Sequence, residues 1–432
     1  MLDYKLTKFS NGLKLITAPL ENTKAVTVLF SVGVGSRYEK KELNGISHFL
    51  EHMFFKGTQK RPTALDISKA LDSVGAGFNA FTAEENTFFF VRAAAEHFDL
   101  ALDVLFDMLY GSKFDPAEVE REKGVIIEEL NMYQDQPQNY VYDVAKKLLY
   151  GDHPLGREVV GTKETIKGMN REDFISYRNK FYSPHNMIVA VAGAPSTGSG
   201  QAEDGNGWRD KIAKIFETVP VATGENYEKV REAQEKPELL IHHKKTDQAH
   251  LVLGFRSMPK TDPRRPILKV MNNLFGETMS SRLFIEVRER RGLAYYVNSE
   301  LGDFRDTGVL AAAAGVDISR AEEAVKVILD EFSKLKTQAV TKEELHRAKE
   351  NLKGKLYLFL EESFEVAGFL AEQELFWEKI EDPEEIIKKY EAVTAADIQK
   401  LAGELFIPKN LNLAIIAPFD DKSQFEKILE KF

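Results

Sequence analysis

The chain contains no cysteine. That absence excludes disulfides, thiolate metal ligands and thiol catalysis, so a bound metal would have to rest on His, Asp and Glu. Long apolar runs are missing too. No stretch approaches the roughly 20 residues needed to span a bilayer, and the start, Met1-Leu2-Asp3-Tyr4-Lys5-Leu6, lacks the charged-then-apolar layout of a secretion signal. A cytoplasmic protein is the expectation. Positive charge is in deficit: 58 Lys and Arg stand against 68 Asp and Glu, a formal net charge of −10. That balance argues against nucleic acid or an anionic membrane as partner, since either calls for a basic surface. What remains is a globular composition, 43% hydrophobic and 29% charged, on 432 residues, which is enough for two or more domains with full cores.

Histidine is scarce, nine in the whole chain, so two of them four residues apart carry information. They occur in His48-Phe49-Leu50-Glu51-His52. On a helix, positions 0, 3 and 4 share one face. Two neutral imidazoles at that spacing can grip one zinc ion, with the carboxylate beside the metal as a general base for an activated water. The order H-x-x-E-H inverts the commoner H-E-x-x-H. A catalytic zinc takes three protein ligands and keeps one open position, so a third donor is required.

The stretch from Asp115 to Leu130 reads as a helix, with Asp115 at the N-cap, Pro116 in the first turn and Glu118 completing a capping-box pattern. Glu122 and Glu129 are seven apart and share a face, while Glu128 points elsewhere. Composition alone does not choose among the three, and a solvated acidic face accounts for them equally well.

HFLEHMFFKGT (His48 to Thr58) followed by EREKGVIIEEL (Glu120 to Leu130) resembles the pitrilysin/insulinase family of inverted zinc peptidases, in the small bacterial branch similar to mitochondrial processing peptidase. GVGSRYE (Gly33 to Glu39), FNAFTAEENT (Phe78 to Thr87), FYSPHNM (Phe181 to Met187) and RERRGLAYYV (Arg288 to Val297) look like further landmarks of that family, in the same order. The resemblance implies a zinc endopeptidase acting on short peptides or unfolded segments in a closed chamber. It implies one zinc per chain on His48, His52 and Glu129, the last lying 77 positions beyond His52. Glu51 then serves as the base, and Glu122 supports a ligand from outside. Asn79, Ala80 and Phe81 fall on the family's edge strand, which takes up a peptide as an added strand. Read on its own, Asn79 suits a turn after Gly75-Ala76-Gly77. Arg288 and Tyr295 match the family's Arg/Tyr pair, which grips the substrate backbone and stabilises the oxyanion. Tyr296 next to Tyr295, and Arg290 and Arg291 near Arg288, leave that assignment one residue soft.

The two halves echo each other. Strand-like Ala25 to Phe30 pairs with Ala249 to Gly254, and helical Ala101 to Asp107 pairs with Ala324 to Asp330, an offset of about 223 that becomes 226 after an intervening loop. At that later offset Glu122 falls on Ala348 and Glu129 on Lys355, and no histidine lies between His250 and His346, so the second half has lost the metal set. Duplicated domains follow: residues 1–219 binding zinc, a linker at 220–236, and a metal-free domain at 237–432 that contacts substrate. Strands and long amphipathic helices alternate irregularly, which favours an α+β fold. The resemblance specifies two homologous domains, each a mainly antiparallel sheet with helices against it. A Gly/Ser-rich stretch at 195–207 has linker composition and departs from the family pattern.

Family members with one long chain place the zinc site and the Arg/Tyr pair in opposite halves. This chain is about half as long and holds both, so a homodimer with the active site completed in trans is the economical arrangement. The competing expectation is a catalytically silent scaffold or partner subunit of a processing or respiratory complex, against which the intact His48, Glu51, His52 and Glu129 set speaks.

Overall fold

The structure is a computed structural model that describes residues 2–195 and 206–432. Most of the Gly/Ser-rich stretch at 195–207 lies outside the described residues. The fold is α+β, with two sheets and many helices.

Six strands build the first sheet: β1 (Lys5–Lys8), β2 (Lys14–Pro19), β3 (Ala25–Val32), β4 (Gly77–Thr82), β5 (Thr87–Ala94) and β6 (Met187–Gly193). Their spatial order is β1-β2-β6-β3-β5-β4, antiparallel throughout except for the parallel β2/β6 pair. The second sheet holds β7 (Glu238–His243), β8 (Ala249–Ser257), β9 (Ala294–Asp303), β10 (Gly308–Val316) and β11 (Leu411–Ala417), in the order β7-β11-β8-β10-β9. Here the parallel pair is β7/β11. Leaving β1 aside, the two orders correspond strand for strand, so the repeat read in the sequence is a repeat of topology. The long helices correspond as well, Phe98–Gly111 with Ala321–Thr337 and Pro116–Gln134 with Lys342–Phe359.

The central strands β6 and β11 are buried along their whole length. Their near-continuous Val, Ile, Leu and Ala content suits strands covered on both faces. The cover comes from an exchange. The chain forms two compact units that are not contiguous: residues 1–130, 157–228 and 357–382 make one, and residues 131–156, 229–356 and 383–432 the other. In the first, Val366, Ala367, Leu370 and Ala371 of the helix Ser363–Trp377 pack on Ile16, Leu29, Ile188 and Ala190. In the second, Val141, Val144 and Ala145 of the helix Pro137–Tyr150 pack on Val252, Ala311, Ala313 and Ala414. Each half of the sequence thus supplies the helix that seals the other half's sheet. The single break expected at 220–236 is therefore a break in sequence order only, and of the unit boundaries just the change at 228–229 falls inside it. No helix among the described residues is long and apolar enough to cross a membrane.

Candidate metal centre

The helix Ile46–Phe54 buries Ile46, Phe49, Leu50, Met53 and Phe54, a stripe at i, i+3, i+4, i+7 and i+8 that fixes its inward face. His48, Glu51 and His52 are left on the opposite side. Two devices set the start of this helix. Gly45 takes φ of 96°, and a β-carbon there would collide with the Val160 carbonyl oxygen, so only glycine fits. The buried Glu39 carboxylate then accepts from the Gly45 N–H at 2.7 Å, the Ser47 N–H at 2.8 Å and the Asn44 amide at 3.0 Å. It occupies the place of a capping anion at a helix N-terminus. Burial nonetheless pushes its pKa up to about 7, against the lowering effect of those three donors.

The second carrier is the helix Pro116–Gln134, which buries Val119, Glu122, Ile126 and Leu130. Asp115 caps it through the Ala117 N–H at 2.9 Å. Glu118, the residue expected to complete a capping box, pairs with Arg121 one turn on. Of the three open carboxylates, Glu128 is exposed, whereas Glu122 and Glu129 face the histidine-bearing helix.

The donor atoms of His48, His52 and Glu129 all lie within 4.8 Å of one another. Glu129 Oε1 is 3.7 Å from His48 Nε2, and its Oε2 is 3.4 Å from His52 Nε2. Two imidazole nitrogens and one carboxylate are the donor types of a catalytic zinc site. Glu122 Oε1 lies 2.9 Å from His52 Nδ1, the ring nitrogen turned away from the cluster, and its Oε2 lies 2.7 Å from Lys56 Nζ. Burial would raise the Glu122 carboxyl, but His52 and Lys56 outweigh it and hold the group below the usual carboxylate range. Burial and the neighbouring His52 hold His48 far down, at about 3, so its ring is neutral as a ligand must be. Glu51 stands beside the cluster and accepts a hydrogen bond from the Thr82 hydroxyl. Burial raises its pKa.

Thr82 closes β4, the outermost strand of its sheet, which pairs only with β5 among the described residues. Asn79 lies in this strand and not in a turn. The strand alternates: Asn79 and Phe81 point outward, Phe81 with 60% of its surface exposed, while Ala80 and Thr82 point inward.

Arg288 and Tyr295 lie together in the other unit. Arg288 belongs to the π-helical segment Phe284–Arg290, and its guanidinium carbon sits 5.8 Å from the centre of the Tyr295 ring. Tyr295 is 77% exposed, whereas Tyr296 turns to His250, its hydroxyl 2.9 Å from Nδ1. In the same unit Ala348 is buried apolar filler and Lys355 Nζ lies 3.6 Å from Glu277 Oε2. Among the described residues, the His48, His52 and Glu129 group alone gathers three or more candidate metal donors. Sequence reasoning missed Thr82, Lys56 and the capping role of Glu39. The period-two register from Ala80 was the available signal for Thr82.

Fold and site together define a duplicated α+β protein with an inverted H-x-x-E-H donor set in the first unit. Residues 14–163 match the insulinase family, peptidase family M16, and residues 168–352 match the peptidase M16 inactive domain. A Bacillus subtilis protein named an uncharacterized zinc protease is 37% identical over 412 residues, covering 94% of this chain and 97% of that one. Another so named, from Streptomyces coelicolor, is 35% identical over 422 residues, covering 96% and 90%. The crystal structure of a protease from Helicobacter pylori shares the fold, with a TM-score of 0.87 at 23% identity over 96% of this chain and 100% of that one. The chain belongs to peptidase family M16, the insulinase family.

Proposed function

We propose that the protein is a zinc-dependent endopeptidase that cleaves short peptides or unfolded segments. The observation that carries this reading is the convergence of His48, His52 and Glu129, with Glu51 beside them and Glu122 behind His52. Zinc held by those three residues would lower the pKa of a water toward roughly 7 and polarise a carbonyl. Glu51 takes the proton of the attacking water and passes it to the leaving amine. The Thr82 hydroxyl holds the Glu51 carboxylate through Oε2. Glu122 orients the His52 ring through Nδ1, and Lys56 holds Glu122 in turn. The outer edge of β4 receives the peptide backbone along Asn79, Ala80 and Phe81 as an added strand, so recognition depends little on side-chain sequence. Arg288 and Tyr295 donate to the substrate backbone and to the oxygen that gains charge during attack. We propose further that the working form is a homodimer in which Arg288 and Tyr295 of one chain serve the zinc of its partner.

Metal content and hydrolysis of quenched peptides test the reading together. Glu51→Gln is expected to keep one zinc per chain and to lose at least about a thousandfold in kcat, since it removes the proton acceptor. Full zinc occupancy in the wild type with no cleavage across a peptide library would favour the scaffold alternative.

A further inference from the structure

Tyr295 owes its exposure to an irregularity in its strand. Tyr296 is paired with Gly315 of β10, but the next pair along joins Ala294 to Val316, so Tyr295 has no partner. It is the extra residue of a β-bulge. The burial pattern confirms this. Ala294 and Val297 both lie in the core of their unit although they are three apart, an odd spacing that a regular strand would send to opposite faces. Inserting one residue restores the same face to both and expels Tyr295 toward Arg288. The place of the bulge decides which side chain is turned outward, because moving it by one residue sends the residues it passes to the other face.

The pin lies in one row across three strands. Tyr296 on β9 faces Gly315 on β10, which faces His250 on β8. A β-carbon at Gly315 would collide with the Tyr296 ring. The ring therefore lies flat over the glycine, reaches across it, and brings its hydroxyl to 2.9 Å from His250 Nδ1. The two rings lie nearly parallel, 25° apart, with centroids 6.0 Å from each other. An aromatic side chain covering a cross-strand glycine is a known way of fixing register. Here it acts on the residue directly after the bulge.

We propose that His250, Gly315 and Tyr296 form a cross-strand lock that holds the bulge at Tyr295 and thereby positions the Tyr295 side chain beside Arg288 for peptide binding. The three are positioning residues, and the inference rests on the reading of Arg288 and Tyr295 as substrate-binding groups. Sliding the bulge by one residue would exchange the outward place of Tyr295 with a neighbour and separate it from Arg288.

The test combines hydrogen exchange, which is independent of catalysis, with a double-mutant cycle on the full-length zinc-loaded protein. Tyr296→Phe removes only the hydroxyl, and His250→Leu removes its partner. Both are expected to speed amide exchange at residues 294–297 at least about tenfold while the rest of the second sheet is unchanged. Both should lower kcat for a quenched peptide roughly fivefold, as loss of about one net hydrogen bond does. In a Tyr295→Phe background neither should lower it further, because residues acting through one group are not additive. Unchanged exchange in both variants would overturn the lock, whatever the activity. Additive losses would overturn the positioning role. A fully active Tyr295→Phe enzyme would remove the underlying reading, and the claim with it, while the exchange data would still report separately on the lock.

Discussion

At Glu51 two local effects oppose each other. Burial raises the carboxyl, and the Thr82 hydroxyl lowers it by donating to Oε2. The same bond ties the strand proposed to receive substrate to the residue proposed to move the proton. Thr82→Val keeps the shape and removes the donor. It is expected to lower kcat roughly five- to tenfold, a loss of about 1 kcal/mol, with zinc content unchanged. Thr82→Ser should recover most of that rate. Equal activity of the valine and wild-type enzymes would show that the hydroxyl has no part in turnover. At this scale the sequence was legible where spacing encodes geometry. His48, Glu51 and His52 share a helical face by number alone. The choice of Glu129 and Glu122 over Glu128 needed the family resemblance, because a helix of many acids offers several equivalent faces until its buried side is known.

The element that carries the histidines is short, and its N-terminus rests on one buried acid. Glu39 is protonated in the folded state up to about pH 7 but only up to its ordinary 4.5 in the unfolded chain. Its folded pKa is raised, so the native state binds the proton more tightly than the unfolded state. Stability from this group is complete below about pH 4.5 and is lost as pH rises through about 7. The loss amounts to at most roughly 3 kcal/mol. Glu39→Gln carries no titrating proton, so its urea midpoint should lack the decline between those pH values that the wild type shows. Parallel pH profiles for the two proteins would mean that Glu39 is ionised throughout by its three donors. The helix itself was readable from its apolar stripe. Its anchor was not, since Glu39 lies seven positions before the first helical residue and nothing in local spacing links them.

Over the whole molecule, the exchange of covering helices has a direct consequence for truncation. A fragment of residues 1–219 keeps the helix Pro137–Tyr150 without the sheet on which Val141, Val144 and Ala145 pack, and keeps β2, β3 and β6 without the helix Ser363–Trp377 that covers them. Such a fragment is expected to bind a hydrophobic dye and to melt without a cooperative transition. A sharp two-state melt of the fragment would show that the exchanged helices are dispensable. The assembly is tested by mixing. If Arg288 and Tyr295 act in trans, inactive Glu51→Gln and Arg288→Ala chains recombine into mixed dimers with one complete site. Random pairing then returns about a quarter of wild-type activity. A pair that acts within its own chain returns none.

The sequence by itself determined the shared helical face of His48, Glu51 and His52, the duplication and the α+β class, because each is written in short-range spacing or in a repeat long enough to compare. Tertiary structure alone decided which unit each helix joins, which tyrosine faces outward, and which acid anchors the histidine-bearing helix. Those depend on where apolar faces find cover and where a bulge breaks strand alternation. Such outcomes are set by partners distant in the chain, and local periodicity carries no record of them.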